Sequence, residues 1–297
     1  MKYQFIEQHK QEFPVVTMCR VLGVSESGYY AWRKRPICQR KREDAHLTAH
    51  IQQVFVSRRG VYGSPRMHVE LKEQGWRCSR KRIARLMQEH GMSAKRKRRH
   101  PITTKSHPGH AVAPNLLQQD FTAERPNQKW TGDITSIPTA EGWLYLAVIL
   151  DLYSRMVVGW SMSAHCDEPL VEAALRMALA RRCIAGELLH HTDRGSQYTS
   201  HAYRQALEHA RIVVSMSGKG NCYDNAVTES FFGSLKDECV HRTSYRSHEE
   251  ARQSLFEFLE VFYNRQRRHS SLDYLSPLAF EQRWQVTAEN PAVFLPD

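Results

Sequence analysis

Three carboxylates far apart in the chain carry its strongest chemical signal: Asp133 in WTGDIT, Asp193 in HTDRGSQY and Glu229 in DNAVTESFFGSLKDE, with 35 residues between the second and the third. Asp133 and Asp193 each close a short apolar or β-branched run that reads as a strand, and Glu229 falls early in a helix-like segment. Magnesium is a hard cation that prefers oxygen, and two ions about 3.5–4 Å apart need several carboxylate oxygens between them. One acid on a first strand, one after a later strand and one on a following helix is how such a site is assembled. The pattern points to metal-dependent cutting and joining of nucleic-acid backbones. Taken singly, Asp133 reads as a turn residue, Asp193 as the start of an Asx-turn and Glu229 as an exposed helix carboxylate. Their order and their elements make the case together.

Neighbouring residues extend the constellation. Lys236 lies seven after Glu229, two helical turns on, so the two share a face; it would either hold a DNA phosphate beside the metals or be a surface lysine. Asn225, four before Glu229, would either bind a base edge or pin the loop. Arg194, with Gly195, Ser196 and Gln197, follows Asp193 directly and is placed to shape a substrate groove. His191, two before Asp193, either points toward the same site or is a satisfied core histidine.

The elements that must position these residues begin at Asn127. Strands are expected over 127–139, 143–153 and 156–163 on short turns, which makes an antiparallel meander. A helix over Pro169–Arg182, a strand over Leu188–Thr192, a helix over Ser200–Ala210 and a strand over Arg211–Ser215 follow. SGKGN (217–221) reads as a loop and Tyr223–His241 as one long helix. The order β-β-β-α-β-α-β-α is that of an α/β fold of the ribonuclease-H-like kind, with a mixed five-stranded sheet. In it the first strand is central and the fourth lies beside it, which would bring Asp133 and Asp193 together.

The front of the chain has a different texture. Phe13–Arg35 gives a helix starting at Pro14, a break at Gly23, a Ser25 N-cap and a second helix with a basic end, a helix-turn-helix pattern. A second such unit covers about 63–92. Its second helix, capped by Ser79, clusters Arg80, Lys81, Arg82 and Arg85, and KRKRR (Lys95, Arg96, Lys97, Arg98, Arg99) follows. The sequence from there to about 115 cannot bury a core and reads as a linker lying on phosphates. The expected division is a helix-turn-helix unit at 1–60, a second such unit with the basic linker at 61–115, a catalytic core at 120–284 and a tail at 285–297.

Charge supports this division. Residues 1–110 hold 24 Lys/Arg against 8 Asp/Glu, whereas residues 111–297 hold 18 against 23. A basic front and a mildly acidic back suggest a DNA-gripping half and a metal-loaded half. No run of about 18 apolar residues and no signal-peptide core is present, so the expected place is the cytoplasm, at the nucleoid, without membrane contact. Seven scattered cysteines with no CxxC pair argue against a disulfide framework or a zinc finger.

With YGSPRMHVEL, WTGDITSIPT, WLYLAVILDLYSRMVVGW, HTDRGSQYTS and SMSGKGNCYDNAVTESFFGSLKDE in view, the chain resembles transposases of the insertion-sequence-3 family, of the OrfB type, and the wider retroviral integrase superfamily. The resemblance runs from about residue 10 to 284. It implies that Asp133, Asp193 and Glu229 form a DDE triad using magnesium or manganese, as two ions. It also implies an integrase catalytic core preceded by helix-turn-helix units. The implied activity is nicking at element ends with water, then strand transfer by the released 3′-hydroxyl, with no covalent protein–DNA intermediate. Implied partners are double-stranded DNA carrying terminal repeats, target DNA, further copies of the chain and the upstream-frame OrfA product, this chain corresponding to OrfB alone. YNRQRRHSSLDYLSP also resembles the family's C-terminal end, where Arg265, Arg267, Arg268 and His269 either touch DNA or form a basic turn. Unlike retroviral integrases, the front has no His and Cys pairs at zinc spacing. Two other readings use the same residues: a DNA-binding regulator or domesticated element with a silent core, and a ribonuclease-H-like nuclease without strand transfer.

Overall fold

Alternation along β1 (Lys129–Thr139) sorts the residues around it into two layers. Successive strand side chains point to opposite faces. Trp130 is therefore buried on one face of the sheet, whereas Ile137 belongs to the core on the other. The computed structural model describes residues 1–36, 38–94, 113–218 and 222–289.

β2 (Gly142–Asp151) and β3 (Val157–Ser163) continue antiparallel on one side of β1, and β4 (Leu189–Thr192) and β5 (Val213–Met216) run parallel on the other. The order β3-β2-β1-β4-β5 puts β1 at the centre, as the sequence order requires of this α/β fold. Parallel neighbours need crossovers, and these are α7 (Glu168–Arg181) between β3 and β4 and α8 (His201–His209) between β4 and β5. Both helices start on a serine or aspartate cap: Asp167 accepts from the Leu170 amide and Ser200 from the Tyr203 amide. They bury Leu170, Val171, Ala174, Leu175, Tyr203 and Leu207 against Trp130, Ala147 and Ile149.

The opposite face carries α9 (Ala226–Glu238), α10 (His248–Phe256) and a π-helical segment, Glu257–Tyr263. The expected single helix over 223–241 is shorter: Cys222–Asn225 and Val240–Arg242 are 3₁₀ turns. The Asp224 side chain supplies a reason at the first end. It accepts hydrogen bonds from the Gly218 amide at 2.7 Å, Asn115 at 2.9 Å and Gln119 at 3.1 Å, which commits that turn to the loop before it. α11 (Pro277–Glu289) closes the fold, its Glu281 holding Arg182 and Ser154.

At the front, α1 (Lys2–His9), α2 (Val15–Leu22) and α3 (Glu26–Lys34) form a cluster around Ile6, Met18, Cys19 and Tyr29. Gly23 stops α2 at φ 62°, and Ser25 caps α3 by accepting from the Gly28 amide. α4 (Gln39–Ser57) packs with α5 (Ser64–Glu73) and α6 (Arg80–Glu89). The expected first unit, 1–60, takes in residues 39–57, whereas Leu47, Ile51 and Val54 join Met67, Leu71, Ile83 and Leu86 in one core. That core is continuous with Leu144, Leu146, Phe231, Leu235 and Phe258 beneath the sheet. Ion pairs reinforce the junction: Glu70 accepts from Arg58 at 2.7 Å and Arg268 at 2.6 Å, and Arg268 also pairs with Glu73. Among the described residues no helix is long and apolar enough to cross a membrane.

Gly159 lets β3 approach α7 closely. A Cβ there would lie 2.3 Å from the Ala174 carbonyl oxygen and 2.8 Å from the Ala178 Cβ. Overpacking of a rigid contact typically costs about 1–3 kcal/mol. Gly159→Ala is expected to lower the urea midpoint by at least that equivalent, and an unchanged midpoint would refute the close approach of β3 and α7.

Candidate active site

Register brings the first two acids together. The parallel pairing of β1 and β4 ends at Gly132 and Thr192, and Asp133 and Asp193 are the next residue on each strand. Asp133 remains within the β1–β2 ladder opposite Val148, so its backbone is fixed on that side. One Asp133 carboxylate oxygen accepts from the Ile134 amide at 2.7 Å, and one Asp193 oxygen accepts from the Gly195 amide at 2.9 Å.

α9 is attached beside them by a buried polar knot. Thr131, two residues before Asp133 and so on the same face, donates to the Asn225 side-chain oxygen at 2.6 Å and lies 3.0 Å from the Thr228 hydroxyl. Thr228 also donates to Asn225, at 3.1 Å. At 100° per residue, Asn225, Glu229 and Lys236 share one side of the helix. Asn225 is buried and pins α9 to β1, the structural one of its two readings.

The electrostatics follow from like charges in a recess. Burial pushes the Asp133 carboxyl well above the usual carboxylate range, and the neighbouring Asp193 and Glu229 carboxylates push it further. Asp193 is raised chiefly by burial. Glu229 is exposed as a residue, yet partial burial of its carboxyl raises it too. Lys236 is half-buried; burial lowers its ammonium while Asp133 opposes that shift, which puts the lysine within electrostatic reach of the carboxylates. The donors are hard oxygens of net negative charge, which suits a divalent cation. Among the described residues, however, no three His, Cys, Asp or Glu side chains stand close enough together to hold one ion. The first two acids are adjacent, and Glu229, exposed as a residue, stands in the first turn of α9.

The remaining expected residues divide sharply. Arg80 and Lys81 are exposed at the start of α6. Arg82 and Arg85 on the same helix are tied to Asp44, at 2.6 and 2.7 Å, so part of this basic cluster holds α4 to α6. Arg194 donates to the Ser217 carbonyl at 2.5 Å and supports the loop following β5. Lys95, Arg96, Lys97, Arg98 and Arg99 lie outside the described residues. Arg267 makes two 2.7 Å bonds to Glu238, Arg268 serves the junction with α5, and His269 is buried; these three build structure, while Arg265 is exposed. His191 is a core histidine between the Ser215 and Ser217 hydroxyls, its imidazole pushed down by burial to about 4.

Thr131, Thr228 and Asp224 were missed by sequence reasoning. Thr131 stands in the same WTGD string as Asp133, two places before it, and the period of two would have placed it toward the same helix. Nothing local marks Asp224 as the acceptor for Asn115 and Gln119, more than a hundred residues earlier.

The Integrase core domain family matches residues 123–222, a second Integrase core domain family matches 210–277, and the HTH-like domain family matches 41–100. The chain is 46% identical to transposase InsF for insertion sequence IS3A of Escherichia coli (strain K12), over 95% of this chain and 99% of that protein. It is 44% identical to the insertion element IS600 uncharacterized 31 kDa protein of Shigella sonnei, over 91% of this chain and all of that one. Among solved structures, the magnesium-bound catalytic core of HTLV-2 integrase (trimeric form) aligns with 54% of this chain and 99% of that chain. The identity is 16% and the TM-score 0.43. The BIV integrase core aligns with 55% and 99% at 16% identity and a TM-score of 0.42.

A carboxyl raised in the folded state contributes stability that is full below its unfolded value, near 4, and is lost as pH rises through the raised one. In EDTA, Asp133→Asn is therefore expected to be more stable than the parent at pH 8 by roughly 1–2 kcal/mol, with little difference at pH 4. Chemical denaturation at both pH values checks this; identical pH dependence in the two proteins would remove the repulsion.

Proposed function

The chain belongs to the insertion-sequence-3 family of transposases, and from that premise we propose that Asp133, Asp193 and Glu229 are its DDE triad. Its activity is polynucleotidyl transfer on DNA: nicking at insertion-sequence ends and strand transfer by the 3′-hydroxyl so released. The observation that carries the triad assignment is the register of β1 and β4, which makes Asp133 within β1 and Asp193 just beyond β4 neighbours, beside the strand residue Thr131 that holds the start of α9. Regulator and nuclease readings are not favoured, since the relationship to a named transposase spans nearly the whole of both chains.

The three carboxylates would hold divalent metal, which we take to be magnesium or manganese as two ions. When bound, such ions activate the attacking oxygen and neutralise charge on the leaving one. The protein's own contribution is placement. β1 holds Asp133 at the sheet centre, the Gly195 amide orients Asp193, and the Thr131–Asn225–Thr228 knot fixes the start of the helix that carries Glu229. Lys236 supplies a cation on the same side as Glu229, suited to a non-reacting phosphate oxygen of the substrate.

The helical segments supply the grip on double-stranded DNA. Arg80 and Lys81 at the exposed start of α6 and the basic run at Lys95–Arg99 are the contacts we propose, with Arg194 supporting the groove. We divide the chain into an N-terminal helical unit, a helix-turn-helix-like unit that takes in α4, and the catalytic core. Pairing two element ends requires at least two copies on DNA, and the upstream-frame OrfA product, separate or fused, is the further partner. The site of action is the bacterial nucleoid.

A 3′-end-labelled duplex bearing the element's terminal repeats tests the assignment. Magnesium should give nicked and joined products that EDTA abolishes. Asp193→Asn and Glu229→Gln should each lower the rate by at least about 10³-fold while changing duplex affinity by less than about threefold. Residual joining by Glu229→Gln at near-parental rate would remove that residue from the triad.

A further inference from the structure

We propose that a cavity on the face of α9 opposite Glu229 is a second phosphate-binding site, one that takes a backbone phosphate of the DNA. The cavity measures about 450 Å³, and its polar lining includes Arg66, Arg155, Ser230, Ser234, Arg267 and His269. Ser230 and Ser234 lie on the side of α9 turned away from Glu229 and Lys236. Three segments of the fold converge there: α5 brings Arg66, the β2–β3 turn brings Arg155, and the stretch after the π-helical segment brings Arg267 and His269.

The charge in this cavity is under-compensated. Arg267 is satisfied by its two 2.7 Å bonds to Glu238, and Arg66 reaches the same carboxylate only at 3.9 Å. Arg155 Nη1 is shielded from solvent and has no hydrogen-bond partner. A buried guanidinium N–H without an acceptor is costly unless something anionic completes it. Burial holds both Arg66 and Arg155 below the usual arginine range. Arg155 also sits at φ 61°, a left-handed conformation that glycine adopts more easily. A strained residue with an unsatisfied buried donor is retained more readily when its side chain has a ligand.

Guanidinium forks beside hydroxyl groups match a tetrahedral oxyanion, and phosphate in particular. Free phosphate and a DNA phosphodiester share that chemistry. DNA is favoured by position, an inference that rests on the triad assignment above. The cavity is walled by α9, the same helix that carries Glu229, so a strand reaching the carboxylates passes close to it.

Two binding measurements in EDTA test the proposal without requiring cleavage. The first is thermal unfolding of the full chain in inorganic phosphate against chloride at matched ionic strength. The second is duplex affinity by anisotropy across a potassium chloride series. Arg155→Gly removes the guanidinium and relaxes the backbone, and Arg66→Gln alters the cavity without touching the turn. Phosphate is expected to raise the parental melting temperature and to lose that effect in both variants, while the log–log salt slope falls by about 1 for each. A phosphate response with unchanged salt slopes would overturn the DNA assignment and leave a site for free phosphate. No phosphate response and no slope change would overturn the site itself. Metal-dependent nicking by the parent and by Asp193→Asn is scored separately: loss of the triad assignment there would leave the binding results standing, and the reverse.

Discussion

Like charges must be held side by side, and the architecture of the sheet half answers to that requirement. Asp133 and Asp193 would separate if their backbones were free. Asp133 cannot yield, because β1 is the central strand and is paired on both sides. Asp193 leaves β4 directly after the last parallel pair, with its carboxylate bonded to the Gly195 amide two residues on. The third acid comes on a helix whose start is bonded into β1 through Thr131, Asn225 and Thr228. Burial raises both carboxyls, and at Asp133 the neighbouring carboxylates raise it further. A bound cation reverses the sign of that local energy, so a site that is unfavourable alone becomes favourable when loaded.

Much of this frame was legible in the sequence, and the reason is periodicity. Strands β1 to β3 alternate or run continuously apolar, their turns are short, and α7 and α8 carry clear caps, so the order of elements followed from local pattern, and the central place of β1 from the fold that this order matches. The three acids could be picked because each ended or opened such an element. Side-chain destinations that depend on distant residues were not legible. Asn225 looked equally fit for a base edge or a structural role until Thr131, 94 positions away, was seen to hold it. Likewise, α4 could be assigned to its proper neighbours only when Leu47 and Ile51 were seen in one core with Met67 and Ile83. The π-helical turn at Glu257–Tyr263 has no signature in composition: its buried Phe258, Leu259, Phe262 and Tyr263 form the same one-sided stripe that an ordinary amphipathic helix presents.

The basic residues show how poorly a charge count predicts a binding surface. Arg82 and Arg85 look equivalent to Arg80 and Lys81 in sequence, yet the first two are bound to Asp44 and stitch α6 to α4. Arg267 and Arg268 sit in an apparently solvent-loving RQRRH string, yet they are the ion-pair partners of Glu238 and of Glu70 with Glu73. Removing one partner from such a buried pair leaves an uncompensated charge, typically at about 3–5 kcal/mol. These arginines are thus constrained by folding before any DNA is considered. Only cations left without an internal partner release counterions from a duplex at full value.

That division has a consequence for how DNA would be registered on the protein. The α4–α6 unit is not a freely swinging reader: its core runs without interruption into the residues under the sheet, and Glu70 binds arginines on both sides of the junction. α1–α3, by contrast, close around a hydrophobic cluster of their own. A duplex lying on the exposed start of α6 would accordingly be held at a set distance from Asp133 by packed side chains. On the proposed reading of α6, the junction arginines would act through geometry: by tying α5 to the segment after the π-helical turn, they would set which phosphate reaches the carboxylates.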